Sequence, residues 1–358
     1  MLKKLFIIYI VLVLTSCNVF AQTLIPFSSG GKYGYLNSQL KIVIAPQFFK
    51  TGHFTEEGYA IVAFGQGMTM TWIIDTTGKM IKGLERGLIY HIYGDIYSFE
   101  NSEPQDMEII RLNNNKIIAK KTHWPGITTK EGYMLAEFYD EVKRYSFIDF
   151  EGNRVLQQLT LKWPSYSFFD ERANVRNESG RVIIDMEGNI LGEFSSLAHR
   201  YSEGLIAAKS IDGITGYVNK SGNFEFTIPF ITSVIPEATF FSGGYAAIKK
   251  SETPSVWRII NTRGQEVSGN INVYTMNAFS DGLSRVMVRE TTNGPIKYGY
   301  VNTRGEYLVK PILESADDFQ NGYARIVYNG QEGLLKTNGK VIWSADIMKG
   351  NIVEKELY

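Results

Sequence analysis

Four histidines, one cysteine and 37 acidic side chains are the residues of this 358-residue chain that could hold a metal, attack a carbonyl or carry a proton. Their spacing argues against each role. His53, His91, His123 and His199 are scattered, none stands four residues from another, and no His-Glu-x-x-His run or cysteine cluster accompanies them. The sequence therefore presents no recognisable set of metal ligands. Cys17 is the sole thiol and no Gly-x-Ser-x-Gly elbow occurs, which leaves no candidate nucleophile. Gly243-Gly244 leads into an apolar run and lacks a following Lys-Ser/Thr, so it reads as a tight turn and not as a phosphate cradle. Glycoside hydrolysis needs two facing carboxylates. The acidic residues sit mostly in turns, as Glu203 and Asp281 do, where solvation or local bonding accounts for them. The expectation is a protein without catalytic residues, metal or cofactor.

Aromatic side chains are the better binding candidates. Trp124-Pro125 and the run Trp163, Pro164, Tyr166, Phe168 and Phe169 are not demanded by any pattern in their surroundings. Exposed rings stack on sugars or anchor protein partners, although core packing is the commoner fate of Trp and Phe. Trp124, Trp163 and Tyr166 are the candidate binding residues. Charge excludes another class of partner. Basic and acidic residues number 37 each, and removing residues 1–21 takes Lys3 and Lys4 and no acid. A body this close to neutral has no electrostatic footprint for nucleic acid.

Positioning these residues falls to a repeat of about 37 residues that runs from Tyr33 to Gly339. Its turn residue falls at Asn37, Asp75, Asn113, Asp149, Asp185, Asn219, Asn261, Asn302 and Lys336, and Gly follows three positions later at Gly78, Gly152, Gly188, Gly222, Gly264, Gly305 and Gly339. Leu40 and Lys116 stand there in the first and third copies. An Asn or Asp side chain bonds the backbone two residues on, and Gly takes the left-handed conformation, so the unit is a hairpin turn. A second signature, aromatic-x-x-Gly followed by an apolar run, appears from Tyr201, Phe241, Phe279 and Phe319, and from Phe54 with one more residue before Gly58. Gly94 and Gly132 keep its spacing early on, and Arg172 stands where another Gly is expected. Each unit thus holds about three short strands, which bury their apolar faces only when stacked on neighbours. Tyr33, Tyr298 and Tyr300 recur with the repeat and are read as structural.

These motifs resemble the WG-repeat family, whose unit reads Gly-Lys-Trp-Gly-Phe/Tyr-Ile-Asp-x-x-Gly, then Ile-x-Pro-x-Tyr, then Phe-x-x-Gly-x-Ala-x-Val. The best copy is Gly31-Lys32-Tyr33-Gly34-Tyr35-Leu36-Asn37 with Ile44-Ala45-Pro46-Gln47-Phe48 and Phe54 through Val62; Lys297 through Val327, with Pro311, follows it closely. Tyr replaces the family's Trp, its Gly remains only at Gly34, Gly216, Gly299 and Gly333, and Lys82–Val182 is the most degenerate stretch. The resemblance implies a β-rich interaction scaffold and carries over no catalytic residue.

Before the repeats, Lys3 and Lys4 precede an apolar run from Leu5 to Leu14, a pattern too short to span a membrane and suited to an export signal. Leu14-Thr15-Ser16-Cys17 resembles a lipobox with Cys17 as the lipidated residue, while Val19-Phe20-Ala21 is a site for ordinary signal peptidase; both readings stay open.

The architecture expected is therefore an export signal over 1–21, eight or nine repeats over 27–345, and a C-terminal tail over 346–358. The fold class is all-β, with meander units stacked as an open superhelical array or closed as a propeller-like ring. The atypical first and last turns, Leu40 and Lys336, lean toward the open form. The function expected is a non-catalytic binding or scaffolding protein of the envelope, a periplasm-facing lipoprotein or a soluble periplasmic or secreted protein. Its partner would be a protein or polysaccharide, and it would meet the membrane only through a lipid anchor. The alternative is a carbohydrate-active enzyme or glycan-binding accessory.

Overall fold

Every unit places two apolar residues directly before its turn residue, which is Asn or Asp except for Arg111 and Lys336, and this pair explains the architecture. Successive residues of a strand point to opposite faces, so such a pair buries both faces of its sheet at once. The computed structural model describes residues 24–65, 70–101, 107–123, 131–138, 145–162, 166–229, 237–252, 255–289 and 294–357. Within them lie eight antiparallel sheets. One has seven strands and spans residues 87–155, where two repeats are joined by the pairs Thr122↔Phe138 and His123↔Glu137. The chain thus forms nine units, covering residues 25–48, 50–84, 87–123, 133–155, 173–194, 196–227, 245–261, 275–313 and 315–356.

Between each unit and the next lies one apolar cluster. Tyr300 packs toward unit 9 and Val301 toward unit 7. Ile259 and Ile260 divide in the same way between units 8 and 6, as do Ile183 and Ile184 between units 6 and 4. The ninth cluster joins the two ends of the chain: Ile25, Phe27, Leu36 and Leu40 of unit 1 pack with Leu334, Ile342 and Ile347 of unit 9. The stack is therefore a closed ring, and the lean toward an open array is corrected. Leu40 is the reason. In seven of the other units a turn Gly lies against the outer segment of the preceding unit, as Gly305 does on Ile271 and Gly264 on Phe226. Leu40 instead takes φ +58° and contributes a buried side chain to the closing seam. The atypical first turn is a closure device and not a cap.

Two further expectations change. Units 2, 6 and 8 have four strands, because a two-residue strand (Lys50–Thr51, Ser196–Leu197 and Thr275–Met276) precedes the aromatic-x-x-Gly turn. The segment expected as a C-terminal tail is folded onto unit 9. Helix Ser344–Met348 sends Ile347 into the seam, Lys355–Glu356 pairs with the strand Lys340–Trp343, and Leu357 is buried among residues of units 8 and 9.

The repeat motifs now have physical roles. Asn302 Oδ1 accepts the backbone N–H groups of Arg304 and Glu306 at 2.9 and 3.1 Å, and Asp75 Oδ1 does the same for Thr77 and Lys79. A Cβ on Gly299 would lie 2.5 Å from the carbonyl oxygen of Val309, and one on Gly34 would lie 2.4 Å from that of Ile44. The family's Gly thus admits the proline-bearing strand beside it. The following aromatic is buried and bonds the inner chain segment. Tyr35 donates to Gly52 O at 2.8 Å, Tyr217 to Thr239 O at 2.5 Å and Tyr300 to Asp317 O at 2.5 Å. Each also meets the turn aromatic edge-on, Tyr35 with Phe54, Tyr217 with Phe241 and Tyr300 with Phe319, at 4.7 to 4.9 Å. The two signatures are one packing unit.

The degenerate third copy departs from the expected register. Its buried pair is Ile109-Ile110, so Arg111 takes the place of the turn residue and Asn113 does not. Asn115 adopts φ +52° and Asn114 Oδ1 accepts the N–H of Lys116.

Candidate functional site

The inner segments, which lead into the aromatic-x-x-Gly turns, converge around the ring axis. A cavity of about 920 Å³ is lined by residues 53–57 of unit 2, 91–94 of unit 3, Glu131, Phe169 and Asp170, Arg200–Glu203 of unit 6, and Gln320 of unit 9. A second of about 690 Å³ continues from Arg200 past Thr239, Phe240, Asn277, Ala278 and Ser280 to Asp318. Only a closed ring brings so many units to one opening. The residue before the turn aromatic faces this space in unit after unit: His53, Arg200, Phe240, Ala278 and Asp318. His91, at the corresponding place in unit 3, does so as well.

The turns themselves form a belt. Glu203-Gly204, Gly243-Gly244, Asp281-Gly282 and Asn321-Gly322 all have two consecutive positive φ values, the type I′ geometry of two-residue hairpins. Outside glycine this conformation carries strain, and in three turns the acidic side chain found there bonds the next unit. Asp170 Oδ2 accepts from Gly204 N at 2.5 Å, Glu203 Oε2 from Gly244 N at 2.9 Å and Asp281 Oδ2 from Gly322 N at 2.7 Å. Glu203 and Asp281, expected to be solvated or locally bonded, therefore tie neighbouring units together. In unit 5 the glycine position is Glu171, at φ +64°, and not Arg172. Phe169 pairs with Arg172 there, as Ser202 pairs with Leu205 in unit 6.

Electrostatically the opening is uneven. Glu56, Glu57, Glu131, Asp170 and Glu203 line the larger cavity. Arg200 stands between the two, 3.8 Å over the Phe240 ring and 5.4 Å over Phe169, and burial pulls its guanidinium below the usual range. His53 is held down to about 4, first by burial and then by Arg325, with Asp317 opposing. His199 is lowered by burial and by Arg181. His91 Nε2 lies 2.9 Å from Gly94 O. His53, His91 and His199, scattered in the sequence, therefore all reach the axial space. Among the described residues no group of three or more His, Cys, Asp or Glu is placed to hold a metal ion.

Of the sequence candidates, Tyr166 is half-buried and stacks on His199 at 4.8 Å, next to the axial lining. Phe168 is core and Phe169 lines the larger cavity. Trp124, Trp163 and Cys17 lie outside the described residues. No shared residue type marks the axial residues in the sequence. The available signal was variability beside constancy: the position before the turn aromatic changes from His to Arg, Phe, Ala and Asp while the motif after it persists.

Two stretches of the chain match the WG-containing repeat. The family's model matches residues 33–66 and 298–331, the two copies quoted above as the nearest to the motif. No curated protein matches the chain in sequence. Among solved structures, a eukaryotic initiation factor is similar at a TM-score of 0.59 and 10% identity, over 90% of this chain and 94% of that one. The computationally designed Ika8 protein gives a TM-score of 0.49 at 10% identity, over 88% and 99%. BamB from Moraxella catarrhalis gives 0.40 at 16%, over 66% and 80%. At such identities a likeness speaks to the fold alone.

Proposed function

We propose that this protein is an exported, non-catalytic binding or scaffolding protein of the cell envelope, which offers the axial face of its ring to a protein or polysaccharide partner. The observation that carries this reading is the division of roles within each repeat. Motif residues such as Tyr300, Gly299 and Asn302 are engaged in the frame, while the position before the turn aromatic varies and faces two adjoining axial cavities. A rigid frame with variable residues gathered at one opening is how repeat proteins build recognition surfaces. Export rests on Lys3, Lys4 and the apolar run to Leu14, with Cys17 as the lipidated residue or Ala21 as the cleavage site.

The test is affinity capture from detergent-solubilised envelopes, comparing wild type with a His91→Ala/Arg200→Ala/Phe240→Ala variant and with an outer-strand variant, Met80→Ser/Ile81→Ser. A protein or glycan retained by wild type and the outer-strand variant, and lost with the axial one, supports the reading. Equal recovery on all three overturns the axial face as the binding surface.

A second reading, a carbohydrate-active or glycan-binding protein, draws on the carboxylates of the larger cavity. Two of them, Asp170 and Glu203, already accept turn N–H groups. Release of reducing ends from envelope polysaccharide by wild type, lost in Glu57→Gln, would favour it over the scaffold.

A further inference from the structure

We infer that the axial wall between units 6 and 9 is a binding site for a small organic monocarboxylate, with Arg200 as the partner of the anion. The inference concerns a small-molecule ligand and does not depend on the envelope partner proposed above.

Arg200 is the starting point. Its guanidinium is held by aromatic faces, Phe240 at 3.8 Å and Phe169 at 5.4 Å, and among the described residues no carboxylate or carbonyl accepts from it. Stacking on a ring leaves the in-plane N–H donors free, and that planar fork matches a carboxylate in bidentate fashion. The acids nearby do not serve it. Asp318 is bonded to Arg285 at 2.9 Å and to Asn277 at 3.0 Å, and Asp170 to Lys220 at 2.9 Å.

A second observation points the same way. Arg181, whose charge depresses His199, has a buried Nη1 without a hydrogen-bond partner. A second guanidinium beside His199 thus also keeps a donor unengaged.

The cavity beside Arg200 sets the rest of the ligand. It measures about 690 Å³ and combines Phe240, Phe279, Ala238 and Ala278 with the donors and acceptors of Thr239, Ser242, Asn277 and Ser280. That is the size and mixture of a site for a small molecule with an apolar body and one charged group. Asp318 lines the same wall, so a dianion would be repelled where a monoanion is tolerated. A carboxylate thus fits better than a phosphate.

The probes are 3-phenylpropionate, its uncharged amide, and 2-phenylethylphosphonate as the dianion, titrated against the whole protein by calorimetry and ligand-observed NMR. 3-Phenylpropionate should bind wild type at least about tenfold more tightly than the amide, as expected for charge-assisted bonds. Arg200→Gln should remove that preference, while Arg263→Gln, an exposed arginine, should leave it intact. Ala278→Asp places a negative charge in the same cavity while keeping Arg200, and should weaken the carboxylate and not the amide. The inference is overturned if carboxylate and amide behave alike, including if neither binds. It is equally overturned if the phosphonate binds more tightly than the carboxylate, or if Ala278→Asp has no effect on a fold verified by its melting curve.

Discussion

Leu40 offers the sharpest test of ring closure, because two opposing terms meet at one residue. It stands where seven of the other eight turns have Gly, at φ +58°, and is 7% exposed within the cluster that joins units 1 and 9. A left-handed backbone costs a non-glycine residue about 1 kcal/mol or somewhat more. Truncating a buried Leu costs about 2 to 5 kcal/mol. If the side chain closes the ring, Leu40→Ala should lose about 3 kcal/mol, since it gives up the contact and keeps the strain. Leu40→Gly should lose about 2 kcal/mol, because it gives up both. Glycine would then be the milder substitution. Urea unfolding followed by tryptophan fluorescence measures the loss, with Trp343, next in sequence to the seam residue Ile342 and packed against the cluster between units 8 and 9, as a nearby reporter. Hydrogen exchange should localise it, with protection falling at Ile25–Ser29 and Gln331–Lys336 and unchanged in units 4 to 6. Restoring the repeat's own glycine without loss, or finding the alanine variant as stable as the glycine one, would refute the closure argument.

Gly299→Ala should be far more damaging than Gly330→Ala, by about 3 kcal/mol against about 1. A Cβ at 299 meets backbone at 2.5 Å, whereas one at 330 meets nothing within 4 Å; melting curves of the two variants decide. His53 predicts an acid sensitivity. Its folded value of about 4 lies below the ordinary 6.5, so its contribution is intact above pH 6.5 and is lost as pH falls toward 4. Wild type should lose about 2 to 3 kcal/mol more than His53→Gln over that window, allowing for partial exposure, as read from urea midpoints at each pH. Asp281→Ala should cost about 1 to 2 kcal/mol, by losing the bond to Gly322 while keeping the strained φ of +50°, and Asp281→Gly should cost less. If the proposed lipidation is correct, Cys17→Ala should abolish palmitate labelling and move the protein to the soluble fraction; unchanged fractionation would favour cleavage after Ala21.

Much of the frame could be read without coordinates. Asn302 and Gly305 declared a turn, and the flanking apolar runs declared strands, because these are local demands that side chain and backbone meet within a few residues. The structure added a short inner strand to several units, since two residues carry too little pattern to be read. It also moved the degenerate turns: Arg111 took the place read as Asn113, and Glu171 the place read as Arg172. In both, the apolar pairing across units set the register and overrode the nominal spacing.

What the sequence determined by itself is the unit: its length, its two turns and the β-class of a chain whose apolar pairs require a neighbour on both faces. What the tertiary structure decided is how many neighbours close the circle and what stands at its centre. The angle between adjacent sheets depends on the packed volume of residues such as Leu40, Phe226 and Ile271, and that volume has no signature in a repeat. The same holds for Arg200, Phe240 and His53. They lie far apart in the chain and line two adjoining axial cavities, with Arg200 common to both, only because the last interface, between Leu36 and Leu334, brings the first unit to the ninth.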